Sequence, residues 1–352
     1  MPKSSGQKYK SLLVWQLLLK RTDEKHALKV EDIQDYLKTF GIEAERRSIY
    51  RDIRDMQELL ALDEEMDTEE REKLGYVIER NRSHGEDGGY YVAQRPYTFE
   101  VLRLLAECVN AAKFLTQAQV EHLKTLIKSF CSEHEAEELN NEVYMIGRVK
   151  TQNKYVMPSI IAVNEAIRAN RQITFQYLKH TIKDREHQAL RHEGAAYVVS
   201  PYHLLINDGY YYLLAYDEST QSQTRTFRLD RMKNVQVLPD AREGGEVFAR
   251  IDMRTYTQRV FSMFGGNREY VNIRFTSDLL DTVIDRFGNE GEITYREDGS
   301  DHFIIHLPVE ISSTFYGWLC SLSTKAEIIS PPEAREGMRQ FLESLQNQYR
   351  IE

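Results

Sequence analysis

Apolar residues recur at helical spacing from the start of the chain. In YKSLLVWQLLLKRT, Leu12, Trp15 and Leu19 share a stripe, which predicts a first helix. VEDIQDYLKTF places Val30, Ile33, Leu37 and Phe40 on one side, with acids in the first turn where the helix dipole favours them. Gly41 follows as a helix stop. AERRSIYRDIRDMQELL predicts a third helix whose apolar stripe is Ile49, Ile53, Met56 and Leu60. After an acid-rich stretch, LGYVIER and GGYYVA alternate as strands around the turn NRSHGEDG. Residues 97–154 read as helices only: TFEVLRLLAECVNAAKFL and TQAQVEHLKTLIKSFC each open at a threonine suited to capping. Over 155–240 a short helix, SIIAVNEAIRAN, leads into strand-like runs: QITFQYL, AAYVVSPYHLLI, YYYLLAYD, TRTFRLD and NVQVL. Asp208-Gly209 marks a hairpin between two of them, and the group predicts a small barrel or sandwich. Over 241–352 the order is strand, helix, strand, strand, helix, strand, helix, a ferredoxin-like βαββαβ unit with an added helix. The fold class is therefore α+β, in several domains.

Composition narrows this. A chain of 352 residues is too long for one compact core, so two or three domains are expected. With 41% hydrophobic and 11% aromatic residues there is enough to fill them, which excludes a disordered chain. The net charge of −9 excludes coating of nucleic acid by bulk positive charge; any such contact needs a local basic face. No apolar run is long enough to span a membrane, and no secretory cleavage pattern follows the basic N-terminus, so a cytoplasmic protein is expected. Cys108, Cys131 and Cys320 stand far apart, so neither a disulfide framework nor a cysteine zinc site is expected. His180, His187, His192 and His203 have spacings that fit no compact metal site, and Phe264-Gly265-Gly266-Asn267 is no phosphate loop. No GxSxG, HExxH or GxGxxG occurs, so the chain is expected to be no enzyme and to need no cofactor. Trp318, at helical spacing with Phe315, Leu319 and Leu322, reads as core.

Chemistry concentrates in two places. On the third helix, Arg47, Arg51 and Arg54 fall opposite Ile49, with Arg46, Ser48 and Tyr50 on the flanks. An inward apolar stripe opposed by guanidiniums suits insertion into a DNA major groove. Arg80 and Arg82, near the hairpin tip, would reach an adjacent groove or backbone. The competing reading is a solvated helix face, and Asp52, Asp55 and Glu58 on the same helix temper the positive charge. The helix–helix–helix–hairpin order favours DNA. In the second place, Arg225, Arg228 and Arg231 lie within seven residues, near Ser200 and His203. If the chain leaves strand geometry near Asp230, Arg228 and Arg231 converge into an anion site with the hydroxyl, the imidazole and Tyr177. Arginine forks suit phosphate, and tyrosine faces suit bases. Alternatively the arginines pair with Asp217, Glu218 and Asp230 and only hold the sheet.

RRSIYRDIRDMQELL resembles the "RTIYRDI" recognition helix of winged helix-turn-helix regulators that carry a WYL domain. It departs at Glu45, where the family carries a serine or threonine cap. Tyr211-Tyr212-Leu213 stands where that family has Trp-Tyr-Leu, and TFRLDRMKNVQVL, QITFQYL and VSPYHLL also resemble its segments, so the likeness runs the length of the chain. The resemblance implies a winged helix-turn-helix over 1–96 and a helical linker over 97–154. It implies a WYL domain, a small SH3/Sm-like β-barrel, over 155–240, and a ferredoxin-like C-terminal extension that dimerises over 241–352. It implies a bacterial transcription regulator, a homodimer on an inverted repeat of double-stranded DNA. Its effector would be a nucleotide or single-stranded nucleic acid held by Tyr177, Ser200, His203, Arg228 and Arg231, with Arg225 as an addition. The alternative is a nucleic-acid-binding accessory or RNA-binding module without a transcriptional role, or a winged helix that binds protein.

Overall fold

The computed structural model describes residues 8–61, 75–81, 88–139, 150–183, 188–220, 223–251, 253, 256, 267–289 and 292–350. The chain divides into two compact units, Met1–Gln152 and Asn153–Glu352.

In the first unit, α1 (Lys10–Arg21), α2 (Val30–Thr39) and α3 (Arg46–Ala61) precede an antiparallel pair, β1 (Val77–Arg80) and β2 (Tyr90–Gln94). The stripes of α2 and α3 meet as the spacing requires through Ile33, Leu37, Ile49 and Ile53, all fully excluded from water; α1 turns inward through Val14, Leu17 and Leu18, whereas the expected Leu12 is exposed, as is Phe40 at the end of α2. Each such side chain contributes about 1.5–3 kcal/mol of burial. Gly41, with φ +69°, ends α2 as expected. The free carbonyls at the end of α1 are met by Arg95, whose Nη2 donates to Leu19 O (2.6 Å) and Thr22 O (2.9 Å). Gly89 is needed where Leu28 bridges to Tyr90, since a Cβ there would lie 2.8 Å from the Leu28 backbone.

Two longer helices follow, α4 (Phe99–Ala111) and α5 (Gln117–Lys128), capped by Thr98 and Thr116. A short α6 (Glu133–Glu138) comes next, which the hydropathy pattern does not signal. Its stripe is too short for periodicity to show. Its start is a capping box in which Ser132 Oγ accepts from the Glu135 N–H and Glu135 accepts from the Ser132 N–H.

In the second unit, α7 (Val156–Ala169) turns at Asn170 (φ 55°) into β3 (Arg171–Lys179). β4 (Ala189–Leu190), β5 (Ala196–Asn207), β6 (Tyr210–Tyr216), β7 (Thr224–Arg228) and β8 (Met232–Ala241) complete one antiparallel sheet. Its order is β4-β3-β5-β6-β7, and β8 returns to pair with β3. Asp208 and Gly209 both take positive φ, the conformation a two-residue hairpin needs. Phe175, Leu213, Phe227 and Leu229 fill the centre. After the one-turn α8 (Gly245–Phe248) a second sheet forms from β9 (Asn267–Thr276), β10 (Thr294–Glu297), β11 (His302–Ile311) and β12 (Ala326–Ser330). Its order is β10-β11-β9-β12, antiparallel throughout. α9 (Leu280–Phe287) and α10 (Ser313–Ser321) link its strands, and α11 (Pro332–Gln348) ends the unit. Their apolar sides share a core with Val271, Ile273, Phe275, Ile305 and Leu307 on one face of the sheet. Trp318 packs edge-on against Phe287 at 5.3 Å, a core residue as its spacing indicates.

Candidate nucleic-acid and ligand interfaces

The start of α3 is held without a side-chain cap from Glu45: its carbonyl takes the N–H groups of Ser48 (2.9 Å) and Ile49 (3.2 Å). Ile49 and Ile53 turn inward, and Arg47, Arg51 and Arg54 are exposed on the opposite side. Among the described residues none of these three makes a hydrogen bond or an ion pair. They stand at i, i+4 and i+7, so one face of the helix carries all three. Arg46 differs: it is tied to Glu31. Ser48 also differs, being half-buried and taking a hydrogen bond from Lys10. Lys10 is itself buried and pairs with Asp52 at 3.0 Å, so that acid is neutralised on the inward flank rather than among the arginines. Tyr50 is exposed and lies 6.1 Å from Tyr90, with Arg80 5.9 Å from its ring and 5.7 Å from that of Tyr90. The hairpin thus sets Arg80 beside α3. Gln57 fixes this placement by donating to Ile78 O at 2.7 Å. Arg82 lies outside the described residues.

In the first sheet of the second unit, the strand conformation breaks after Arg228, where Leu229–Arg231 form a 3₁₀ turn. Buried Asn153 shapes this turn by donating to Asp230 O (3.1 Å) and Met232 O (2.9 Å). Arg228 grips buried Asp230 through two bonds, Nε to Oδ1 at 3.0 Å and Nη2 to Oδ2 at 2.6 Å. Its guanidinium also lies 3.5 Å from the centre of the Tyr210 ring. Burial works against the Arg228 charge, but Asp230 outweighs it and raises the pKa. Tyr177, on β3, accepts the Arg228 N–H at 3.0 Å, and burial pushes its phenol pKa up. Arg231 is half-buried and, among the described residues, unpaired. Arg225 pairs with Asp217 at 3.1 Å and lies over Tyr197 and Phe227. The Tyr197 hydroxyl is buried without a hydrogen-bond partner among the described residues. Tyr177, Tyr197 and Phe227 sit 5.7–6.0 Å apart, with Arg225 over two of the rings and the Arg228 N–H on the Tyr177 hydroxyl.

Ser200 and His203 serve another set of contacts. Ser200 Oγ accepts from the Glu243 N–H at 2.9 Å, and Tyr202 donates to Glu243 O at 2.7 Å. Phe248 stacks on Tyr202 at 3.7 Å and lies 5.9 Å from His203. Arg242 covers Tyr202 at 4.0 Å and donates to Pro201 O. Gly244 (φ +79°) allows this packing, since a Cβ would fall within the Tyr216 ring. Ser200 and His203 thus face the segment 242–248, while Tyr177 and Arg225 belong to the aromatic cluster and the Arg228 guanidinium to Asp230 and Tyr210. Of the ion pairs weighed from the sequence, Arg225–Asp217 and Arg228–Asp230 form; Arg231 is left over. Sequence reasoning missed Asn153, Tyr197 and Tyr210. Only Tyr210 carried a signal, as the residue beside the Tyr211-Tyr212-Leu213 run.

The second unit thus joins an antiparallel sheet, broken at the Leu229–Arg231 turn, to a second antiparallel sheet of βαββαβ order. Residues 159–237 match the WYL domain and residues 267–346 match the WCX domain. The chain carries both domains. No curated protein matches it. Among solved structures, proteasome accessory factor B/C (PafBC) of Arthrobacter aurescens is 17% identical over 97% of this chain and 49% of its own, with a TM-score of 0.27. This chain thus spans about half the length of that protein. A CRISPR Cas-related protein is 10% identical over 71% of this chain and 80% of its own, with a TM-score of 0.32. With TM-scores this low, neither superposition bears on function.

Proposed function

We propose that this protein is a sequence-specific DNA-binding transcription regulator and not an enzyme. In this reading 1–96 is a winged helix-turn-helix, with α3 in the major groove and the β1–β2 hairpin as the wing. The WYL domain is a small SH3/Sm-like barrel that senses a nucleotide or single-stranded nucleic acid. The ferredoxin-like WCX domain and the helices over 97–154 carry homodimer contacts, which suit an inverted repeat in the cytoplasm. The observation that supports it most is the exposed, unpaired Arg47, Arg51 and Arg54 opposite the buried Ile49 and Ile53. Recognition helices contact bases with their N-terminal turns, where Arg47 and Arg51 stand; Arg54 lies beside Asp55 in the middle of the helix.

Arg47→Ala or Arg51→Ala is expected to weaken operator binding by about 1–3 kcal/mol, read by electrophoretic mobility shift on genomic fragments the protein selects. Wild-type binding should fall steeply with salt as counterions are released. Unchanged affinity in both variants would remove α3 from the interface. Selection of RNA over duplex DNA would favour an accessory or RNA-binding module instead.

A further inference from the structure

The border between the two units falls between Gln152 and Asn153. On one side, Lys150 and Thr151 are anchored to the end of α4. Lys150 Nζ donates to Asn110 O (2.9 Å) and Ala112 O (3.3 Å), and the Thr151 N–H donates to Lys113 O (3.0 Å). An ammonium suits the last carbonyls of a helix, where the dipole is negative. On the other side Asn153, 7% exposed, is anchored to the Leu229–Arg231 turn. Exposed Gln152 lies between the two anchors. Two residue steps reach at most about 7 Å, so the joint has little length with which to absorb a displacement of either anchor.

The chemistry of the second anchor is specific. Asn153 Nδ2 donates to the carbonyls of Asp230 and Met232, the residues on either side of Arg231. Its Oδ1 accepts from the Tyr155 N–H at 2.9 Å, just ahead of α7. Two donations and one acceptance need a primary amide, with two hydrogens on one atom and lone pairs on the other. Aspartate would set an oxygen against two carbonyl oxygens, and alanine would leave all three bonds unmade. The peptide groups around Arg231 are thus fixed to the first residue of the second unit, from a position 77 residues earlier in the chain. Arg231 itself is half-buried and makes no ion pair among the described residues. An anion drawn onto it would pull on peptide groups that Asn153 holds.

We propose that Asn153 is a positioning residue that couples Arg231 to the joint between the units, so that occupancy of the effector site reaches Lys150, Thr151 and the end of α4. This rests on the reading of Arg231 as an effector contact and names the residue through which that site acts.

The test uses the full-length protein and has one arm without ligand and one with it. In the first, Arg228→Lys keeps the charge but loses the two-bond grip on Asp230, which disturbs the turn. Exchange of the Thr151 amide is expected to quicken by about tenfold, the worth of one hydrogen bond, and to stay unchanged when the same substitution is made in Asn153→Ala. An equal response in both backgrounds, or none in either, overturns the coupling. In the second arm the probe is oligo(dT) of about ten nucleotides. It is expected to change wild-type operator affinity by about fivefold or more, as coupled sites do. Asn153→Ala should bind the operator as the wild type does and still bind oligo(dT), yet lose that change. Lys150→Met cuts the joint on its other side, away from the turn, and should lose it too; thermal melting checks both variants, and Lys150→Met decides the case if Asn153→Ala does not fold. If oligo(dT) shifts operator affinity as much in the variants as in the wild type, the coupling is wrong and the effector reading stands. If oligo(dT) does not bind the wild type, the effector reading fails, and the exchange arm still decides whether Asn153 couples the turn to the joint.

Discussion

Arg228 and Arg231 stand three residues apart and keep different company. Arg228 is engaged by buried Asp230 and the Tyr210 ring, whereas Arg231 is unpaired among the described residues. Removing one partner of a buried pair strands the other, so Arg228→Ala is expected to destabilise the second unit by about 3 kcal/mol in chemical denaturation. Arg231→Ala should change stability by less than about 0.5 kcal/mol yet abolish the response of DNA binding to effector. A large stability loss in Arg231→Ala would make it a structural residue. His203 offers a pH test. Burial first, and the neighbouring Arg242 second, lower its pKa below the ordinary 6.5. Between 6.5 and that lowered value the unfolded chain binds the proton and the folded one does not. Stability therefore falls as pH drops through this window, and is fully present above it. Opening of the 242–248 amides, read by exchange corrected for its intrinsic pH dependence, should become easier as pH falls below about 6.5, and less so in His203→Gln.

α3 acts as an element because three neighbours fix it: Lys10 on its flank, Gln57 to the hairpin, and the Ile49–Ile53 stripe beneath. Its arginines are then displayed on a rigid cylinder rather than on a loop, which is what groove reading needs. α6 is fixed differently. Ser132 Oγ donates to buried Asp23 at 2.6 Å, and His134 stacks on His26 at 3.6 Å. Burial opposes the Asp23 charge, but hydrogen bonds from Ser132, His26 and the Lys25 N–H outweigh it and hold the pKa below 3.8. Ser132→Ala removes both this bond and the α6 cap. It is expected to cost about 1–3 kcal/mol and to speed exchange of the 133–138 amides before the rest of the unit opens.

For the whole molecule, a net charge of −9 means that the duplex binding proposed for α3 must come from one local face against a repulsive background. A single reading helix touches few bases, so two copies are needed for useful specificity. The expected footprint is two-fold symmetric, with half-sites separated by about 34–36 Å or a multiple, and the protein should sediment as a dimer at binding concentrations. A monomer bound to one half-site with full affinity would argue against the inverted repeat.

Periodicity alone was enough to place helices α1 to α3, the hairpin, the strands of both sheets other than the two-residue β4, and the arginine stripe of α3, because each follows from side chains repeating every 3.6 or 2 positions along one segment. The Arg228–Asp230 fork also lay within local reach. Tertiary packing decided the rest. It sent Ser48 and Asp52 to Lys10, drew Ser200 and His203 to the 242–248 segment, left Arg231 without a partner among the described residues, and brought Tyr270 onto His306 from strands far apart in the chain. Such pairings depend on strand order and register between distant segments, and no local pattern of hydrophobic and polar residues encodes which distant side chain will arrive opposite.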